Sequence, residues 1–71
     1  MSKLVNIPGP DGIRFAAIER DDGTLVFGDD FAPPGGTDMV MGGVRHLFVP
    51  KSELAEELQR EGLQPVYRGR R

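Results

Sequence analysis

Apolar residues recur along the chain in short runs punctuated by glycine, proline and aspartate, the pattern of a small strand-rich protein. Residues 4–7 form a first run, closed by Pro8-Gly9-Pro10-Asp11-Gly12, a cluster that favours chain reversal. Residues 13–19 read as a strand with Ile13, Phe15 and Ala17 on one face and Arg14, Ala16 and Ile18 on the other. The first face is the expected core side. Asp22-Gly23 between two apolar runs signals a hairpin, because glycine tolerates the positive φ of a tight turn. Residues 24–28 are the expected return strand, with Leu25 and Phe27 facing one way and Val26 the other. Residues 3–28 therefore predict a three-stranded meander.

The next segment, 29–36, holds Pro33-Pro34-Gly35-Gly36 and predicts an irregular loop. Phe31 within it is either an anchor tucked beneath the loop or an exposed contact, and the anchor is the expectation. Met39, Val40 and Met41 predict a short strand before Gly42-Gly43. Residues 44–49 predict a stronger one, apolar on both faces: Val44 and Phe48 on one, Leu47 and Val49 on the other. That pattern suits a central or covered strand.

A helix is predicted over 50–61, stopped at Gly62. It starts with Pro50 at its first position or with Ser52 as cap. Glu53, Glu56 and Glu57 towards its start and Arg60 in its last turn match the helix dipole. Leu54 and Leu58, with Ala55 beside them, form a narrow stripe for burial, and the acidic side chains with Arg60 are expected to face solvent. A left-handed Gly62 would bring Leu63 against Leu58 in a Schellman ending. Residues 64–68 predict a short final strand, placed at an edge because Pro65 cannot donate to a ladder. Residues 68–71 read as a flexible basic tail.

The expected fold class is thus α+β. A small antiparallel sheet of four to five strands, opening with an N-terminal meander, carries one C-terminal helix and a short final edge strand, all within a single domain of residues 1–71.

Composition agrees with a soluble globular domain, at 38% hydrophobic and 28% charged residues. Size adds a constraint: in 71 residues one core supplies only about 3–5 kcal/mol, and such domains commonly rely on a staple. There is no cysteine for a disulfide, and His46 alone cannot form a zinc site. Self-association is the staple left, so a homodimer is expected. No stretch approaches a membrane span, and the N-terminus lacks a signal-like apolar run; the expected location is cytoplasmic, with no membrane partner.

Net charge is −2 but unevenly spread. Residues 1–43 carry Lys3, Arg14 and Arg20 against Asp11, Glu19, Asp21, Asp22, Asp29, Asp30 and Asp38. Residues 44–71 carry Arg45, Lys51, Arg60, Arg68, Arg70 and Arg71 against Glu53, Glu56, Glu57 and Glu61. The chain is acidic in its first part and basic in its last.

Few residue sets suggest chemistry. Asp21-Asp22 and Asp29-Asp30 flank one strand, but their spacing lacks the alternating oxygen ligands of a calcium loop, so turn formation explains them better. His46 is the only histidine and thus the one candidate base. Its expected role is that of a partly covered strand residue. The two Gly-rich pieces lack the lysine and following helix of a phosphate loop. No cofactor is expected.

The favoured function is a small non-enzymatic protein-binding domain, an adaptor or regulatory module whose partner is a protein, including a second copy of itself. Candidate contacts are Phe31, Met39 and Met41, although core filling is the expected role of the two methionines. The alternative is a nucleic-acid-associated module using Arg45, Arg68, Arg70 and Arg71, which could neutralise a few phosphates. An enzyme or enzyme subunit using His46 ranks third.

Overall fold

The computed structural model describes residues 1–63. Strands β1 (Lys3–Pro8), β2 (Arg14–Glu19), β3 (Leu25–Gly28), β4 (Thr37–Met41) and β5 (Val44–Val49) precede the helix α1 (Lys51–Arg60). The strands form one sheet in the order β1-β2-β3-β5-β4. The protein is α+β, as its pattern predicts, with one helix laid on a five-stranded sheet.

The first three strands are the predicted meander. β1 and β2 are joined through a tight turn at Pro10–Gly12, where Gly9 N–H donates to the Ile13 carbonyl. β2 and β3 are joined through Asp21-Asp22-Gly23: the Gly23 N–H donates to the Arg20 carbonyl, Arg20 N–H donates to Thr24, and Gly23 has φ +90°. That is a three-residue hairpin with glycine at its left-handed position. The Asp22 carboxylate accepts from the Thr24 N–H at 2.9 Å, which lowers its pKa and locks the turn.

The sheet departs from pure antiparallel pairing at β3. This strand runs parallel to β5, with Val26 beside Leu47 and Phe27 beside Phe48, while β4 lies outermost, antiparallel to β5. The loop after β3 must therefore cross the end of β5 before the chain turns back. Gly36 makes that crossing feasible: a Cβ there would lie 2.8 Å from Val49 Cγ1 and 2.9 Å from the Phe48 carbonyl oxygen. β4 and β5 are then joined by the two-residue turn Gly42-Gly43, both at positive φ, as a type I′ hairpin demands.

Helix and sheet meet on one face. Ile18, Val26 and Val49 are the buried large apolar residues, and Leu47, Leu54, Leu58 and Leu63 pack against them. Each fully buried aliphatic side chain contributes about 1.5–3 kcal/mol. The helix approaches so closely that a Cβ at Gly28 would lie 2.9 Å from Leu54 Cδ2.

The helix ends as its sequence predicts. Gly62 is left-handed, its N–H donates to the Gln59 carbonyl, and Leu63 N–H donates to the Leu58 carbonyl at 2.9 Å, the Schellman pattern. Its start differs in detail: Pro50 is the flanking cap residue, and its carbonyl accepts from Glu53 and Leu54 N–H. Ser52 is not the cap.

Several side chains face differently from expectation. Ile18 is buried under the helix, whereas Ile13 and Phe15 are half exposed, so the helix covers the face of β2 opposite to the one predicted as core; of the predicted face Ala17 alone is buried. Glu57, expected in solvent, is 7% exposed and bound to Arg20, while Ala55 is exposed. Phe31 is 94% exposed and anchors nothing. Its loop is ordered instead by Asp29, whose carboxylate accepts from Phe31 N–H, and by Glu53, whose carboxylate accepts from Gly35 N–H. The predicted final strand and basic tail, 64–71, lie outside the described residues.

Candidate functional site

Among the described residues a single helix covers one face of the sheet and leaves the other open, and that open face is mainly apolar, with Lys3 and Glu19 paired towards its β1 edge. Directly paired residues share a face. One row of the ladder reads Val5, Ala17, Phe27, Phe48 and Thr37, and the next reads Lys3, Glu19, Leu25, His46 and Met39. Ile7 and Phe15 pair at one corner of this face, and Met41 and Val44 at the opposite one.

An aromatic stack runs across it. The Phe27 ring lies 5.2 Å from Phe48 and 5.7 Å from His46, nearly parallel to the latter at 3°. His46 Nδ1 sits 2.9 Å from the Val44 carbonyl oxygen. A carbonyl only accepts, so Nδ1 carries the proton, and this hydrogen bond holds the ring flat on Phe27. The residue proposed as a base is thus a flat, stacked member of an apolar surface. Around it Phe15, Met39 and Met41 are 47%, 48% and 44% exposed. The methionines border the stack rather than fill the core, because β4 is an edge strand and the helix lies over β3.

The patch continues into a cleft. β3 pairs with β2 only from Ala17 to Glu19, so Arg14, Phe15 and Ala16 have β1 on one side and no described strand on the other. A cleft of about 920 Å³ opens there, lined by Phe15, Phe27 and Phe48 from the open face and by Leu54 and Leu58 from the helix. Its walls are mainly apolar. A Cβ at Gly9 would lie 2.5 Å from the Phe15 ring, which therefore needs the glycine to sit where it does.

The charged residues are largely committed to one another. Arg45 donates to Asp38 through Nε at 3.0 Å and Nη2 at 2.8 Å, which holds the Asp38 carboxyl below the ordinary carboxylate range. Of the proposed phosphate-contacting residues, Arg45 is therefore paired, and Arg68, Arg70 and Arg71 lie outside the described residues. Lys3 meets Glu19 at 3.7 Å and Lys51 meets Asp30 at 3.4 Å, while the N-terminal amine pairs with Asp21. Among the described residues no cluster of three or more His, Asp or Glu is placed to hold a metal ion, and no helix is long and apolar enough to cross a membrane.

Sequence reasoning singled out Met39 and Met41, which the fold places together on the open face. Phe31 sits apart, on the β3–β4 loop. Phe15, Phe27 and Phe48 were missed as surface residues, because alternation identifies two faces without saying which one the helix covers. No protein-family model matches the chain, and searches of curated proteins and of solved structures found no match.

Proposed function

We propose that the chain is a small non-enzymatic protein-binding domain, an adaptor or regulatory module that docks a protein bearing an apolar surface on the sheet face opposite the helix. The observation that carries this reading is the contiguous patch of Phe15, Met39, Met41 and Val44 around the Phe27–His46–Phe48 stack. Exposed contiguous apolar surface of this kind marks contact sites, and aromatic and methionine side chains are enriched there. The cleft beside Phe15 adds a socket for a protruding apolar side chain.

Charge substitution on this face tests the reading without touching the core. A Phe15→Glu/Met41→Glu double variant should keep the wild-type far-UV circular dichroism and lose protein partners retained from the host by roughly ten-fold. Equal retention by the folded variant and the wild type would overturn it.

A further inference from the structure

The sheet has two edges, and they are protected differently. β1 carries Lys3 and ends in Pro8, devices that discourage another strand from adding. β4 carries neither lysine nor proline, all five of its residues are exposed, and among the described residues nothing pairs with its outer side. Its single charge, Asp38, is already held by Arg45.

The hydrogen-bonding pattern determines what this edge offers. In a two-residue hairpin the closing pair, here Met41 and Val44, is hydrogen-bonded, and pairs then alternate along the ladder. Thr37, Met39 and Met41 thus direct their backbone groups towards β5, while Asp38 and Val40 direct theirs outward.

We propose that the occupant of this edge is a second copy of the chain, with β4 pairing antiparallel to its counterpart about a two-fold axis at Met39. This deepens the protein-binding reading and rests on it. In that register Asp38 faces Val40 of the other copy, and at both symmetry-related positions the outward N–H and carbonyl groups exchange bonds. Met39 faces its own counterpart, and Thr37 faces Met41. No like charges meet. Moving the axis to Asp38 would oppose two carboxylates, and moving it to Val40 would set Asp38 against the Gly42 turn. A shift by one residue would flip the faces. The Met39 register alone uses the whole strand and puts both helices on one side, so that the two apolar faces join across the axis.

Because position 39 meets itself, charge there is diagnostic. Sedimentation equilibrium of the wild type should give a concentration-dependent dimer mass. Met39→Lys and Met39→Glu should each raise the dimer dissociation constant by roughly ten-fold, and an equimolar mixture of the two should restore a dimer containing one of each. Val40→Pro removes an outward N–H without breaking a bond to β5, and should keep the fold while weakening the dimer by a similar factor. A wild type that stays monomeric, or variants whose mixture behaves as the sum of its parts, would overturn the pairing. Either result leaves the docking reading to be decided separately by Phe15→Glu alone, since Phe15 lies on β2 and outside the β4 pairing.

Discussion

The Arg20 guanidinium holds the Glu57 carboxylate along two hydrogen bonds, Nε to Oε2 at 2.9 Å and Nη2 to Oε1 at 2.7 Å. This side-on grip ties the β2–β3 turn to the middle of the helix, elements 37 residues apart in the chain. It lies on the same face of the sheet as the apolar contacts of Ile18, Val26 and Val49 with the helix.

Removing one partner leaves a largely buried carboxylate unpaired. Arg20→Met should destabilise the fold by about 2 kcal/mol in urea unfolding, more than Glu57→Gln, which leaves no buried charge behind. The pH dependence follows from the same pair. The hydrogen bonds from Arg20 hold the Glu57 pKa below its ordinary value. The contribution is therefore complete above the ordinary glutamate range and is lost as pH falls through the depressed value. The stability gap between wild type and Arg20→Met should therefore narrow as pH falls through the Glu57 range, because the wild type loses the pairing there while protonation relieves the variant's unpaired carboxylate.

Gly36 should be the least replaceable residue of the β3–β4 loop. It combines φ +89° with a neighbour at 2.8 Å from any Cβ. Gly36→Ala should cost about 3 kcal/mol, through strain and through pushing the crossing loop off β5. Gly35→Ala, with φ +84° but open space around it, should cost distinctly less in the same thermal unfolding series.

The helix ending should respond to Gly62 alone. With φ +72° and nothing within 4 Å of an added Cβ, Gly62→Ala meets only the left-handed backbone penalty, about 1 kcal/mol. Amide exchange at Leu63, whose N–H is held by the Leu58 carbonyl, should accelerate with it.

Phe31 provides a contrast. Because its ring is 94% exposed, Phe31→Ser should leave the unfolding midpoint within about 0.5 kcal/mol of wild type. A large loss would mean that the ring anchors its loop after all.

What was legible in the sequence was local. Asp22-Gly23 and the Leu58–Gly62–Leu63 ending lie within a few residues of their partners, so turn and cap chemistry specify them. Three features were not legible, each set by contacts distant in sequence. β2 is apolar on both sides, and only the helix position distinguishes buried Ile18 from exposed Phe15. Glu57 looks like a solvent residue until Arg20 arrives from the hairpin. The parallel β3–β5 pair depends on Gly36 passing close over Val49, which a Pro/Gly cluster signals only as an irregular loop. The candidate surface was half visible for the same reason: Met39 and Met41 stood out by type, whereas Phe27 and Phe48 gained meaning only beside His46.

Protein contact on the open sheet face, and not on the outer face of the helix, is the expected outcome of the proposed function. Site-specific photo-crosslinking in the host separates the two directly, with a benzoylphenylalanine replacing Met41 in one variant and Glu56 in another, both exposed positions. Discrete protein adducts from position 41 and none from position 56 are predicted. Adducts from position 56 alone, or from neither, would rule out the open face as the contact surface.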